Sequence, residues 1–328
     1  GEEPRLLMLE TIREFGVECL AKSGALEQTR NAHAAYYLQL AEKAELHLRS
    51  AQQAVWLARL ESEHDNLRAA LRWLLDHKER EMALRLGGAL AYFWAIRGYW
   101  SEGSSELSQA LTASEGVAAG VRAKALNGAG FLMDLQGDHE QAMALCEESL
   151  ALSRKIGHQS MIAFCLENLA VVTVAQGQLS WGVRLLGTVE TLREAIAVPR
   201  PHHMRTLYEK SLATARTGLG EEDFAAAWAE GQTMTLEQVL TAREPMTTKP
   251  PAPARASTPP RPVYPDGLSE REVEVLRLVA LGMTDAQVAE KLVLSPRTVQ
   301  GHLRSIYNKI NVNSRTAATH YAVEYKLV

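Results

Sequence analysis

A glycine recurs through the middle of the chain at a nearly constant interval: Gly98, Gly137, Gly177 and Gly220, separated by 39, 40 and 43 residues. Seven positions before each stands a small residue, Ala91, Gly130, Ala170 and Ala213, preceded by Leu90, Ala129, Leu169 and Leu212. Five positions after each glycine stands another small one, Gly103, Ala142, Gly182 and Ala225. Two helices joined by a short turn need small side chains where their axes approach, and glycine where the turn takes positive φ. The period therefore predicts a series of helical hairpins. Such a unit cannot bury its apolar face alone, so the hairpins must stack into one continuous core with a concave face. The fold class is all-α.

Composition divides the chain once. The segment "EPMTTKPPAPARASTPPRPVYPDG", residues 244–267, holds eight of the twelve prolines. It has no apolar face and is expected to run extended, partly in polyproline II, as a linker. It separates residues 1–243 from a small domain at 268–328. A hydrophobic content of 46% over 328 residues is ample for packed cores. No run of about 18 uncharged apolar residues, the length a membrane span needs, is present. The start, "GEEPRLLMLETIREF", lacks the apolar core and cleavage site of a signal peptide, so a cytoplasmic location is expected. It also lacks an initiating Met and lies close to an apolar run, which reads as a piece of something longer.

The three cysteines, Cys19, Cys146 and Cys165, show no CxxC spacing. They are expected as reduced, buried thiols and not as metal ligands. His202 and His203 follow Pro201 and are expected in a loop, solvated or capping. Residues 33–76, with "AVWLARLESEHDNLRAALRWLL", are expected to add one more helical pair. The aromatic run "YFWAIRGYW", 92–100, reads as repeat packing in preference to a ligand site. Ahead of the repeats, Leu9, Ile12, Phe15, Cys19 and Leu20 form an apolar helical stripe. No cofactor is implied.

The last domain is written in helix-capping chemistry. Ser269 and Glu272 stand at capping-box spacing, and "LSEREVEVLRLVALG" ends at Gly282. Thr284 and Gln287 repeat that spacing before "TDAQVAEKLV". Ser295 caps a third helix with Pro296 at its first position, where the missing N–H costs nothing. "NSRTAATHYAVEYKL" supplies a fourth. The pattern predicts a four-helix domain with a helix-turn-helix in its middle.

Charge is partitioned within it. Residues 268–290 hold two basic and five acidic side chains, whereas 291–328 hold six basic and one acidic. In the third helix Val299, Leu303, Ile306 and Ile310 recur on one face and bind the helix to its domain. The opposite face carries Arg297, Thr298, Gly301, Arg304, Ser305 and Asn308, flanked by Gln300, His302 and Lys309, without one acid. Cations, amides and hydroxyls on such a face suit phosphates and base edges in a major groove. A solvated helix face accounts for the same residues equally well.

The repeats resemble tetratricopeptide repeats, with units longer than the usual ~34 residues. The extra length is expected in loops between units. The runs "LETIREFGVECL", "AHAAYYLQLAEKAE", "WLARLESEHDNLRAALRWLL" and "GLGEEDFAAAWAEGQTMTLEQV" resemble large bacterial transcription regulators. Those join a STAND-type ATPase to tetratricopeptide-like repeats and a C-terminal LuxR-type helix-turn-helix. The resemblance makes residues 1–32 the end of a winged-helix-like segment, 33–243 the repeats and 268–328 the DNA-binding domain. No phosphate-binding GxxxxGK[ST] occurs in the chain, so the family's ATPase activity is not carried over and no enzymatic activity is expected.

The last domain resembles the LuxR-type domain from end to end, through Glu272, the run Thr298-Val299-Gln300-Gly301-His302, Lys309-Ile310 and Arg315-Thr316. The resemblance implies that Gln300, Gly301 and Arg304 face base edges. Thr298, His302 and Lys309 fall on the phosphate side, with Arg297 and Arg315 as further cations. It also implies double-stranded DNA as partner and a homodimer through the last helix, with Thr319 and Val323 at the interface. Three positions depart from the pattern: Gln300 where Lys is common, Asp285 where Asn is usual, and Lys326 where glycine is frequent. The expected function is a sequence-specific DNA-binding transcription regulator whose repeats sense a partner or ligand or mediate assembly. The alternative is a repeat adaptor for a protein or ligand, carrying a weak helix-turn-helix.

Overall fold

The structure, a computed structural model, describes residues 10–243 and 264–327 apart from 113, 115, 199, 201, 269, 293–295, 311, 313 and 326. The proline-rich linker at 244–263 and the leading residues, with Leu9, lie outside the described residues. Everything described is helix and turn. The first helices are α1 (Glu10–Lys22), α2 (Leu26–His47), α3 (Gln53–Ser62) and α4 (His64–Asp76). Hairpins follow: α5 (Arg80–Arg97) with α6 (Trp100–Thr112), α7 (Ala119–Gln136) with α8 (His139–Lys155), and α9 (Gln159–Ala175) with α10 (Leu179–Ala195). Then come α11 (His202–Leu219), α12 (Glu221–Thr233) and α13 (Leu236–Thr241). The terminal domain holds a 3-10 turn at Pro265–Gly267, then α14 (Glu270–Ala280), α15 (Asp285–Leu292), α16 (Pro296–Lys309) and α17 (Arg315–Glu324).

The first three glycines do what the period demands. Gly98, Gly137 and Gly177 sit at φ 81°, 83° and 82°, just beyond the ends of α5, α7 and α9. Each turn closes with the same bond from the following amide back into the helix: Tyr99 N to Trp94 O at 2.9 Å, Asp138 N to Met133 O and Gln178 N to Thr173 O at 3.1 Å. This closure satisfies carbonyls that the helix end would leave free. The small residues lie at the crossings. A Cβ on Gly103 would come within 2.6 Å of Trp94, one on Gly130 within 2.9 Å of Cys146 Sγ, and one on Gly182 within 2.5 Å of Val174. Ala91, Ala142 and Ala170 are buried.

The fourth unit departs from the expected register. Gly220 has φ 83° but ψ 164°, and it precedes α12 as its N-terminal cap instead of closing α11. Ala213 and Ala225 are exposed, while Ala215 and Ala227, two residues further on, are buried. The sequence "GLG" offers two glycines; Gly218 is exposed, and a Cβ on it would meet the end of the Leu179 side chain at 2.2 Å.

Other expectations are corrected as well. The extra length of the units lies in the helices: α7 has 18 residues and α8 to α10 have 17 each. Residues 33–76 form more than one pair, because the chain breaks at Glu63 between α3 and α4. The boundary placed at residue 32 falls inside α2, which runs unbroken from Leu26. Ile12 and Phe15 on α1 stay exposed, and so does the Cys19 thiol, whereas Cys146 and Cys165 are buried. Burial pushes the Cys165 thiol up to about 11 despite its bond to Ser149. His202 and His203 open α11 and are not in a loop; their side chains lie outside the described residues.

The solenoid core and the terminal core are separate. The first is carried by residues such as Leu67, Leu84, Phe93, Trp94 and Leu107, continued by Leu166, Leu169 and Leu186. In the aromatic run, Phe93 and Trp94 are core, in keeping with repeat packing. The second core is built from Val273, Leu276, Val279, Val288, Val299, Leu303, Ile306 and Tyr321. It contains no residue of the solenoid, so the terminal domain has what it needs to fold alone.

Candidate nucleic-acid interface

Helix α16 sits in the terminal domain as its pattern demands. Val299, Leu303, Ile306 and Ile310 are all buried, packed on α14 and α15. The helix-turn-helix is set by a capping box at Thr284, whose amide donates to Gln287 Oε1 at 2.8 Å while the Gln287 amide donates back to Thr284 Oγ1 at 3.4 Å. Gly282, at φ 83°, ends α14 before it. The fourth helix has a cap that the sequence reading did not single out: the Ala317 amide donates to Ser314 Oγ at 3.2 Å. Ser269, Ser295 and Lys326 lie outside the described residues, as do the side chains of Pro296, Arg297, Thr298 and Asn308.

A buried acid organises the domain. Glu272 on α14 is 4% exposed, and both oxygens are engaged by α16. Ser305 Oγ donates to Glu272 Oε1 at 2.6 Å, and Lys309 Nζ donates to Oε2 at 2.7 Å. A carboxylate at that depth requires such charged and hydrogen-bonding partners. The Lys309 ammonium is thus turned inward, and Ser305, read as outward, is buried. Arg315 is also used within the domain: it donates to Asp285 Oδ1 at 2.7 Å and to the Met283 carbonyl. The acid that departs from the family pattern at 285 therefore pins α17 to the start of α15. Glu272, Ser305 and Asp285 form a framework that the charge pattern along α16 does not reveal; Glu272 stands between Glu270 and Glu274 at capping spacing, which hides its inward role.

Among the described side chains of α16, those that remain outward are Gln300, which is exposed, and Arg304, whose side chain is 47% exposed. Gly301 lies between them and is buried. The cover comes from the solenoid. Gly98, in the turn from α5 to α6, approaches so closely that a Cβ there would lie 2.7 Å from Gly301 Cα. Arg304 Nη1 donates to the Arg97 carbonyl at 3.2 Å, lies 3.7 Å from Glu61 Oε1, and sits over the Tyr99 ring at 5.4 Å. Ser101 Oγ is 3.3 Å from Ser305 Oγ, and Trp100 meets His302 edge to face at 5.4 Å. Burial holds the His302 imidazole below its usual range; Glu272 opposes this, and Arg271 and Lys309 add to it. Tyr99 donates to Glu61 at 2.7 Å, and burial with that neighbour pushes its phenol up to about 12. A cleft of about 520 Å³ flanks the contact, lined in part by Arg97, Trp100, Gln300, Arg304 and Tyr307.

On α17, Thr319 Oγ1 turns back to the Arg315 carbonyl at 3.0 Å, while Val323 is 64% exposed. Among the described residues no group of three His, Cys, Asp or Glu is placed to hold a metal. No described helix is long and apolar enough to cross a membrane.

Comparison with known proteins agrees with this geometry. Residues 266–322 match the family model described as "Bacterial regulatory proteins, luxR family". A protein named "Putative HTH-type transcriptional regulator" from Mycobacterium tuberculosis is 31% identical over 180 residues, 55% of this chain and 20% of that protein. The chain therefore spans about a fifth of the length of that relative. The "Nitrate/nitrite response regulator protein homolog" of Haemophilus influenzae is 46% identical over 54 residues, 16% of this chain and 26% of its own length. "Oxygen regulatory protein NreC" of Staphylococcus carnosus is 41% identical over 61 residues, 19% of this chain and 28% of its own. No solved structure matches. The C-terminal domain, with its four helices and its turn at Gly282–Thr284, is a helix-turn-helix domain of the luxR family.

Proposed function

We propose that the chain acts in the cytoplasm as a DNA-binding transcription regulator and is not an enzyme. Helix α16 would enter the major groove. The observation that carries this reading is the outward edge of α16, where Gln300 and Arg304 flank Gly301 on a helix with no acid. An arginine there can reach a guanine edge with two bonds, and a glutamine can read adenine. The resemblance assigns Thr298 and His302 to the phosphate side, with Arg297 as a further cation. Lys309 and Arg315 contribute field more than contact, since both are paired inside the domain. A dimer would form through α17, around Val323 with Thr319 beside it. The tetratricopeptide-like repeats are assigned to sensing or assembly. This is supported by a groove across α5, α7 and α9 lined by Arg49, Tyr92, Lys124, Asn127, Phe164 and Asn168.

The test is titration of residues 264–328 with duplex DNA over a series of salt concentrations. Binding whose logarithm falls linearly with the logarithm of salt, with a slope reflecting several phosphates, is the expected result. Absence of binding at low salt would leave the adaptor reading in its place.

A further inference from the structure

The face of α16 assigned to DNA meets the solenoid, which covers Gly301 and engages Arg304 while Gln300 stays exposed beside them. We propose that the turn from α5 to α6 is a docking surface for α16 of the same chain, and that it competes with DNA for Gly301 and Arg304. The inference rests on the DNA-binding reading above and adds its regulation.

Complementarity supports the pairing. The C-terminal end of α5 carries the negative pole of the helix, with carbonyls that lack helical partners. Arg304 places its guanidinium there, on the Arg97 carbonyl and beside Glu61. The solenoid thus offers a carbonyl, a carboxylate and an aromatic face to the arginine that would otherwise meet a base. Shape supports it too. Gly98 meets α16 backbone against backbone: a Cβ on Gly98 would lie 2.7 Å from Gly301 Cα, and its φ of 81° excludes most side chains. A Cβ on Gly301 would make ordinary contacts, 3.8 Å from Gly98 Cα and from Trp100, so the tight fit is set on the solenoid side.

The contact is narrow and polar at its centre, made by one turn and one helix face. It is suited to release: two such surfaces would hold poorly as separate molecules, but tethering keeps them near each other at an effective concentration on the order of millimolar. DNA then sees only the undocked fraction, and its apparent affinity falls by that fraction. Anything that moves the turn between α5 and α6 changes how much α16 is free.

The experiment compares the full chain, its Gly98→Asn variant and residues 264–328. The probe is a mixed-sequence 30-base-pair duplex at low salt. Asparagine tolerates the left-handed conformation, so the turn survives while its side chain displaces Gly301; a thermal melt close to that of the parent checks this. The Glu61→Gln variant adds a second arm without adding bulk. Docking predicts that Gly98→Asn tightens duplex binding about fivefold or more, toward the value of the isolated domain, with Glu61→Gln raising it about twofold. Hydrogen exchange at residues 300–305 should be slower in the parent than in the isolated domain, and Gly98→Asn should abolish the difference. Equal DNA affinity for parent, variant and isolated domain overturns competition. Protection that depends on protein concentration assigns the contact to a second copy and overturns the intramolecular form. Failure of the isolated domain to bind any duplex strikes the DNA-binding reading instead, while the exchange data still decide whether the surfaces dock.

Discussion

Each half of the molecule is pinned by one buried carboxylate, and the two are held differently. In the solenoid, Glu167 on α9 is fully buried and shared by two guanidiniums, Arg193 from α10 and Arg200 beyond it. Arg200 reaches on to Glu190 at 2.8 Å, and the Arg193 guanidinium lies over the Phe164 ring at 5.0 Å. In the terminal domain, Glu272 takes a hydroxyl and an ammonium from the single helix α16. The first arrangement locks the two helices of one hairpin to each other and to the segment that follows, with charges largely withdrawn from water. The second spends part of the basic helix's charge on holding that helix in place, at a lysine 21% exposed. A helix rich in cations therefore does not present all of them, and those turned inward decide what the rest can do.

Breaking the deeper clasp should cost most. Glu167→Gln leaves the buried Arg193 guanidinium without its charge partner and Arg200 with Glu190 alone, and should destabilise the solenoid by about 3–5 kcal/mol. Thermal melts of the full chain would show it, and a loss below about 1 kcal/mol would mean the arginines find water or Glu190 instead. Glu272→Gln keeps a bond to Ser305 and frees a lysine that can turn to solvent, so about 1–3 kcal/mol is expected in denaturant titrations of residues 264–328. A loss as large as that for Glu167 would erase the contrast between the two clasps.

Packing gives a finer version of the same contrast. Ala170→Leu forces a large side chain into the crossing where a Cβ added to Gly182 would lie 3.5 Å from the Ala170 carbonyl oxygen, and should cost about 1–3 kcal/mol. Ala213→Leu, on an exposed position two residues out of register, should change stability by less than about 0.5 kcal/mol. Equal effects would restore the register that the glycine spacing suggested for the fourth unit.

That register shows how far the chain is legible. The turns at Gly98, Gly137 and Gly177 can be read because positive φ after a helix admits few residues other than glycine, and small neighbours mark the crossings. At "GLG" two glycines compete, and their spacing cannot say whether either closes the helix before it or caps the one after. The four terminal helices were legible through Thr284, Gln287 and Gly282, and the core face of α16 through its periodicity. The partners of Glu272 were not, because a capping-box position and a buried ion pair ask for the same residue type. Nor was the docking of Gly98 on Gly301. Contacts between segments 203 residues apart leave no periodic trace, and each glycine already had a local reason to be there.

The central claim is that α16 reads DNA with the edge the solenoid covers, and Arg304 tests it most directly. Duplexes selected by the isolated terminal domain, residues 264–328, would be titrated with that domain and with its Arg304→Ala variant, alongside scrambled duplexes. The expected result is a loss of about 1–3 kcal/mol on the selected site, relaxed preference at one base pair, and a much smaller change on scrambled DNA. Equal binding of both proteins to both duplexes would contradict it.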